Sequence, residues 1–301
     1  MTIGIIGAGA LGSNLARTLA KSGQQAIISN SRGPASLAKL VEELGPNIKA
    51  GSTEEAAKAD IVFVAVRWVD LRNVLSDLPA WNGRVVVDGT NPVEFLDPNS
   101  PDAKDPNNPL AAYGIKAVDL GGRHSSSLVR ELVPGARLVK AFNHLDVNVL
   151  PEPELASGRR VLFLSGDDTQ SKGAVRTIIE KAGFFAVDLG ALDVGGPLTS
   201  LPFGPLSGVS FVKISRCGRA MPCPHSPLAR HLEKQGRGRS SMRSLRPDSP
   251  CTRVWLTSLE RTVIVSTTHM PTVEDAYQYS VRRRYPHACG AGSEWRQTNA
   301  V

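Results

Sequence analysis

Residues 2–12 read TIGIIGAGALG, and this stretch decides the fold. It begins with a run of β-branched and apolar residues typical of a buried strand, and it passes directly into the pattern glycine-x-glycine-x-x-glycine. A helical pattern follows, because Leu11, Leu15 and Leu19 recur at every fourth position until Gly23. A glycine turn that joins a strand to a helix is the context that predicts dinucleotide binding. The stretch therefore predicts a Rossmann-type unit.

Each glycine of this turn has a predicted role. Gly7 permits the tight turn, Gly9 lets backbone N–H groups approach a pyrophosphate, and Gly12 lets the helix pack closely on the strand. The amino end of the helix adds a partial positive charge that faces the phosphates. We therefore expect the nucleotide to contact the whole turn, which consists of Gly7, Ala8, Gly9, Ala10, Leu11 and Gly12.

The end of the second predicted strand indicates which dinucleotide binds. NAD-binding units place a carboxylate there, which hydrogen-bonds the ribose 2′-hydroxyl. This chain has Asn30, Ser31 and Arg32 instead, and it holds no acidic residue between Thr2 and Glu42. A guanidinium can pair with a 2′-phosphate through two parallel hydrogen bonds, which a carboxylate would repel. The sequence therefore favours NADP(H) over NAD(H).

Two further loops are expected to flank the nicotinamide, because ligands of open α/β sheets bind beyond the carboxyl ends of the strands. Ala65, Val66 and Arg67 follow the apolar run of the fourth strand, and Asn91 and Pro92 follow the fifth. Asn91 is a candidate to hydrogen-bond the nicotinamide carboxamide. An Asn-Pro pair is equally typical of a plain turn, so both interpretations of Asn91 stay open.

The wider pattern predicts an α/β protein with a doubly wound parallel sheet and a small carboxy-terminal α/β lobe. Strands and helices alternate in short units as far as Ile214, and the strands are continuously apolar, as in sheets covered on both faces. Residues 92–109 are rich in Pro, Asn and Asp and predict a long surface loop. We predict an NADP-binding unit over residues 1–93, the remaining body and acceptor lobe over 94–214, and a tail over 215–301.

The tail differs from the body in composition. Residues 1–214 carry a net charge of −1, whereas residues 215–301 carry +8, almost all of it from arginine, and hold all four cysteines. Stretches such as residues 235–246 predict disorder, and only residues 254–265 predict a strand or two. The arginines are the one candidate for nucleic-acid contact, which we do not expect. We predict no metal site, because the spacing of Cys217, Cys223, His225 and His231 fits no pair of ligand dyads.

Residues 1–214 resemble the NADPH-dependent deazaflavin (coenzyme F-420) reductases and their relatives. The resemblance rests on the glycine turn, the Asn30-Ser31-Arg32 segment, Val66-Arg67-Trp68, the Gly166-Asp167-Asp168 segment and Asp188-Leu189-Gly190. It implies direct hydride transfer between nicotinamide C4 and deazaflavin C5, in a cleft between the Rossmann unit and the carboxy-terminal lobe. Such chemistry asks little of side chains, because the two cofactors hold the reactive atoms.

The resemblance also implies where the acceptor lies. The family segment that matches residues 140–145 lines the acceptor cleft, so Asn143, His144 and Leu145 are the candidates. This chain has Asn143 where the deazaflavin enzymes have a histidine, and Arg67 where the family often has proline. Three readings therefore remain: reduction of a deazaflavin or flavin-like ring, reduction of free flavin or ferric iron, and a non-catalytic NADP(H) sensor.

Location and assembly follow from weaker features. No apolar run approaches the ~18 residues of a membrane helix, and the first strand begins at Thr2, which leaves no room for a secretory signal. We therefore expect a cytoplasmic protein without membrane contact, whose partner is a small-molecule redox acceptor. A homodimer is implied by the family resemblance alone.

Overall fold

The computed structural model of the protein describes residues 1–156, 158–214, 254–257 and 262–266. Strands and helices alternate through most of this chain, as the sequence predicts. The strands are β1 (Ile3–Ile6), β2 (Ala26–Ser29), β3 (Ile48–Ala50), β4 (Ile61–Val64), β5 (Val85–Asp88), β6 (Val93–Phe95), β7 (Ile115–Ala117), β8 (Arg137–Ala141), β9 (Glu154–Leu155), β10 (Gly158–Gly166), β11 (Phe185–Asp188), β12 (Phe211–Ile214), β13 (Val254–Thr257) and β14 (Thr262–Ser266). The helices are α1 (Ala10–Lys21), α2 (Ala38–Leu44), α3 (Thr53–Ala57), α4 (Leu71–Leu75), α5 (Ser125–Leu132), α6 (Thr169–Lys181) and α7 (Leu192–Thr199).

Six parallel strands form the nucleotide-binding half of the main sheet, in the order β3-β2-β1-β4-β5-β8. Every residue of β1, β4 and β5 is buried, because helices cover both faces of the sheet. This is the Rossmann-type doubly wound arrangement, and the predicted fold class is confirmed. The carboxyl ends of these six strands meet along one side of the sheet, which we call the carboxyl edge.

The sheet changes direction after β8. β10 runs antiparallel to β8, and β11 runs parallel to β10, so both strands run away from the carboxyl edge, and Asp168 after β10 lies 3.7 Å from Arg137 at the start of β8. The Gly166-Asp167-Asp168 segment therefore lies far from the glycine turn along the strands. Its Asp168 caps α6 by accepting the Ser171 N–H at 2.7 Å, and Asp167 pairs with Arg130. The segment has a structural role in this protein.

Strand β6 and helix α7 are among the elements that were not expected from the sequence. The predicted loop over residues 92–109 contains β6, which pairs with β7 in a separate two-stranded sheet. Helix α7 forms although it contains Gly195, Gly196 and Pro197, which are poor helix formers. A Cβ atom on Gly195 would lie 2.5 Å from the Ser165 Cβ, so the glycines let α7 pack directly on β10. Tertiary packing outweighs helix propensity here.

The tail contributes two strands to the sheet. β14 pairs antiparallel with β12, and β13 pairs with β14, which agrees with the strand pattern predicted for residues 254–265. The ladder crosses the boundary predicted at Ile214. These two segments of the tail are therefore strands of the sheet. The Arg-rich stretch at residues 235–246 and all four cysteines lie outside the described residues. The division of the chain at residues 93 and 214 stays a prediction.

Among the described residues, no helix combines the length and apolar character needed to cross a membrane.

Candidate nucleotide-binding site

The glycine turn is shaped by close contacts on two of its three glycines. Gly7 has a φ of +105°, and a Cβ there would lie 2.4 Å from the Ala65 carbonyl oxygen. A Cβ on Gly12 would lie 1.8 Å from the Gly7 carbonyl oxygen. Gly9 is different, because no protein atom lies within 4 Å of the position its Cβ would take. The protein itself does not require glycine at this position, so the open space above Gly9 fits the close approach of a ligand.

Helix α1 presents an uncapped amino end beside that open space. Gly9 is the N-cap residue and offers no side chain, and the first turn contains no acidic residue. The first N–H groups of a helix have no partner within the helix, and they carry a partial positive charge. This end of α1 therefore has the donors and the potential that bind a pyrophosphate.

The loop after β2 is held by its first residue. The Asn30 Oδ1 accepts the Arg32 N–H at 3.0 Å, and the Asn30 Nδ2 donates to the Ser36 Oγ at 2.9 Å. Ser31 and Arg32 are exposed, and the Arg32 guanidinium has no ion-pair or hydrogen-bond partner among the described residues. The side chain of Asn30 is thus used by the protein, whereas those of Ser31 and Arg32 are available to an anion.

The loop after β4 lies directly against the glycine turn. A Cβ on Gly7 would also lie 3.0 Å from the Val66 Cγ1, and Ala65 is buried between the strand ends. The exposed Arg67 pairs with Asp70 at 2.8 Å, so its guanidinium is engaged within its own turn. The structure therefore brings Ala65 and Val66 to the turn and directs Arg67 towards the start of α4.

Asn91, in the loop after β5, joins three separate segments. Its Nδ2 donates to the Asn143 carbonyl oxygen at 2.7 Å, and its Oδ1 accepts the Asn143 Nδ2 at 3.1 Å and the Leu201 N–H at 2.9 Å. The Asn143 Nδ2 also donates to the Thr199 carbonyl oxygen at 2.8 Å. These bonds link the ends of β5, β8 and α7. The Asn91 side chain therefore acts within the protein, and Pro92 beside it is buried.

The acceptor-cleft candidates are all buried in this structure. Asn143, His144 and Leu145 expose 7%, 1% and 6% of their surfaces. The Asn143 Oδ1 is a buried acceptor without a hydrogen-bond donor among the described residues. The His144 ring lies against Phe163, with 4.8 Å between the ring centroids.

Burial lowers the pKa of the His144 imidazole to about 3. Neither ring nitrogen makes a hydrogen bond of ordinary geometry within the described chain, although the Val161 backbone is near enough to oppose the shift. His144 is therefore neutral at physiological pH and cannot act as a general acid there. The surrounding residues shield the His144 ring from solvent.

A buried ion pair underlies the Asn91 loop. Lys140 on β8 and Asp88 on β5 occupy paired positions of adjacent parallel strands, and the Lys140 Nζ lies 2.9 Å from the Asp88 Oδ2. Both side chains are completely buried. A signal for this pair is present in the sequence, because Asp88 ends the apolar run of β5 and Lys140 interrupts the apolar run of β8 after Leu138 and Val139. Only the pairing of β5 with β8 brings the two charges together.

Comparison with known proteins agrees with this geometry. Residues 2–92 match the model of the family described as NADP oxidoreductase, coenzyme F-420-dependent. A hypothetical protein of Sinorhizobium meliloti, whose crystal structure is known, is 40% identical; the match covers 71% of this chain and 96% of that one, with a TM-score of 0.62. This chain belongs to that oxidoreductase family. It is an NADP(H)-dependent oxidoreductase, and its resemblance to the family is confirmed.

More distant structures are also similar to this family member. A reductive aminase of Aspergillus terreus is 18% identical, with a TM-score of 0.44 over 66% of this chain and 57% of that one. A pyrroline-5-carboxylate reductase of Coxiella burnetii is 16% identical, with a TM-score of 0.42 over 62% and 57% of the two chains.

Two surface cavities of the oxidoreductase lie away from the glycine turn. One of about 150 Å³ is lined by residues that precede β1, β4 and β8, among them Met1, Asp60 and Arg137. The other, of about 440 Å³, lies between the carboxyl ends of α1 and α6. Neither is lined by a residue of the glycine turn or of the loops after β2, β4 and β5, so neither is the candidate nucleotide site.

Proposed function

We propose that this oxidoreductase transfers a hydride between NADP(H) and a planar ring acceptor of the deazaflavin or flavin class. The observation that carries the nucleotide part is the open space above Gly9 at the uncapped end of α1. The proposed contacts are the glycine turn, the segment after β2, and the loops after β4 and β5: Gly7, Ala8, Gly9, Ala10, Leu11, Gly12, Asn30, Ser31, Arg32, Ala65, Val66, Arg67, Asn91 and Pro92.

Each part of this site has its own task in the proposal. Backbone N–H groups at the start of α1 hold the pyrophosphate, and Ser31 and Arg32 hold the 2′-phosphate. Asn30 sets the loop geometry, because its side chain is committed to the Arg32 N–H and to Ser36. When bound, NADP(H) supplies or accepts the hydride at nicotinamide C4. The residues after β4 and β5 orient that ring and exclude water from one of its faces.

The chemistry available at the carboxyl edge supports a ring acceptor. A deazaflavin takes the hydride at a carbon atom, and the negative charge that follows is spread over the ring, so no protein acid has to protonate the reacting atom. His144 has a pKa of about 3, so its ring is neutral near pH 7 and is no general acid. Asn143, placed between the nucleotide unit and α7, is the proposed contact that selects the acceptor.

An acceptor panel tests this proposal. Purified protein is mixed with NADPH and, separately, with a deazaflavin, FMN, FAD or a ferric chelate, and the absorbance at 340 nm is followed. We expect the fastest loss of absorbance with the deazaflavin. Faster reaction with free flavin or a ferric chelate would show that this compound, and not the deazaflavin, is the acceptor. Tight NADPH binding without turnover of any acceptor would indicate a sensor.

A further inference from the structure

The buried pair of Lys140 and Asp88 hydrogen-bonds every polar group of one residue, Thr90. The Asp88 Oδ1 accepts the Thr90 N–H at 2.9 Å and the Thr90 Oγ1 hydroxyl at 2.7 Å. The Lys140 Nζ donates to the Thr90 carbonyl oxygen at 2.5 Å while it pairs with the Asp88 Oδ2 at 2.9 Å. Thr90 itself is 3% exposed. The backbone before Asn91 is therefore fixed in one orientation.

Stability alone does not account for this pair. Two fully buried charges lose their hydration, and well-packed apolar side chains of similar volume are often equally or more stabilising. The other buried residues of both strands are apolar: β5 reads VVVD, and β8 reads RLVKA with only its first residue, Arg137, exposed. What apolar residues could not provide is a donor for the Thr90 carbonyl oxygen. The specific consequence of the pair is thus the orientation of the peptide between Thr90 and Asn91.

That orientation aims a free donor at the carboxyl edge. In a trans peptide the N–H points away from the carbonyl oxygen that precedes it. Because the Thr90 carbonyl oxygen points to the buried Lys140 ammonium, the Asn91 N–H points the other way. This N–H has no acceptor among the described residues. The Asn91 side chain, in contrast, makes hydrogen bonds with Asn143 and Leu201.

We propose that Lys140 is a positioning residue for the nicotinamide half of NADP(H). It holds the Thr90 carbonyl oxygen so that the Asn91 N–H donates to an oxygen of that half, either of the carboxamide or of the adjoining ribose. This inference rests on the proposed function for the place of the nicotinamide. It assigns to the backbone the contact that the sequence suggested for the Asn91 side chain.

Binding of two nucleotides separates this role from a structural one. NADPH contains the nicotinamide half, whereas adenosine 2′,5′-bisphosphate keeps the 2′-phosphate and lacks that half. Dissociation constants of both are measured by calorimetry for wild type, for Lys140→Met and for the double variant Asp88→Asn/Lys140→Met. The double variant leaves no unpaired buried charge, so it provides a folded protein if the single variant is unstable.

We expect both variants to bind NADPH about tenfold more weakly, as the loss of one well-aimed hydrogen bond implies, and to bind the bisphosphate within about twofold of wild type. The control is Lys172→Met, because Lys172 and Asp188 form a partly exposed ion pair, 3.0 Å apart, on α6 and β11, which hold none of the proposed nucleotide contacts. This control should leave both affinities unchanged.

Other results would overturn the inference. Equal weakening of both nucleotides would make the pair a general support of the fold, and unchanged NADPH affinity would remove its role. Either result leaves hydride transfer by the wild-type protein intact, so the proposed function would stand. Wild-type protein that binds neither nucleotide would overturn both proposals.

Discussion

Arg32 is the residue that we propose to determine the choice between the two nicotinamide cofactors. Its guanidinium is exposed and unpaired among the described residues, so no internal bond has to break before it binds a phosphate. We expect Arg32→Ala to lose charge-assisted hydrogen bonds of about 1.5–3 kcal/mol, which is roughly ten- to hundredfold in NADPH affinity. NADH affinity should hardly change, because NADH has no 2′-phosphate. Calorimetric titration with both cofactors measures the effect.

The control for this substitution is Arg72→Ala, which removes an equally exposed arginine from α4. It should leave both affinities as they are. Equal loss of NADH and NADPH affinity in Arg32→Ala, or equal use of both cofactors by wild type, would contradict the assignment of Arg32 to the 2′-phosphate.

His144 makes stability depend on pH in a stated direction. Burial lowers its pKa in the folded protein to about 3, below the value of about 6.5 expected when the chain is unfolded. The stabilising contribution of the neutral ring is therefore complete above about pH 6.5, and it is lost as the pH falls from there towards 3. Removing this histidine should make the unfolding free energy less sensitive to acid.

Between pH 6 and pH 4 the unfolding free energy of His144→Leu should fall by roughly 2–3 kcal/mol less than that of wild type. Urea unfolding at several pH values measures it. His124→Leu is the control, because His124 is exposed at the N-cap of α5. An identical pH profile for wild type and His144→Leu would show that the ring is hydrated or paired in solution.

At the scale of residues, the sequence predicted contacts that lie close together along the chain and missed those that depend on strand pairing. Ser31 and Arg32 are neighbours at the end of β2, so their joint exposure could be inferred directly. The bonds between Asn91 and Asn143 span 52 residues. They depend on β5 lying beside β8, which no local pattern of either asparagine expresses.

At the scale of elements, the turn between β1 and α1 contains glycines that the fold requires and one, Gly9, that only nucleotide binding is proposed to require. Gly9 has φ −74° and ψ −164°, which alanine adopts without strain, and the space beside it is open. Gly9→Ala should therefore lower the unfolding free energy by less than about 1 kcal/mol, the usual scale of an N-cap change. It should nevertheless weaken NADPH binding at least tenfold, because the methyl group occupies the proposed pyrophosphate space.

Gly12→Ala should reduce stability, whereas Gly9→Ala should reduce nucleotide binding. A Cβ on Gly12 would lie 1.8 Å from the Gly7 carbonyl oxygen, so we expect a loss of unfolding free energy of several kcal/mol. Urea unfolding and NADPH titration of both variants test the pair. Normal NADPH affinity in Gly9→Ala would place the pyrophosphate elsewhere.

The elements with strong local sequence patterns can be predicted from the sequence, whereas those built by tertiary contacts were missed. Helix α5 and strand β8 are of this kind, because each combines apolar residues with turn residues near its start. Helix α7 escaped prediction because its glycines are explained only by the Ser165 and Ser126 side chains that they face. The pairing of β6 with β7 likewise joins residues that are 20 to 24 positions apart in the chain.

Within the whole molecule, the tail strands and the nucleotide site lie at different places along one sheet. The order β13-β14-β12-β10-β8-β5-β4-β1 separates β14 from β1 by six strand spacings, roughly 29 Å. A contact between β14 and the pyrophosphate is therefore excluded by distance. The tail still carries a charge of +8, which attracts an anionic nucleotide at low ionic strength.

Removing residues 215–301 should consequently leave the dissociation constant of NADPH within about twofold at 0.15 M salt, where the screening length is about 8 Å. The same truncation should lower the unfolding free energy, because β12 loses its ladder with β14 at Phe211, Val212 and Lys213. A truncation after residue 266 keeps that ladder and serves as the control for stability. If the longer truncation weakens NADPH binding tenfold at this salt while the shorter one does not, β13 and β14 support the nucleotide site through the sheet, and the predicted boundary at Ile214 is wrong.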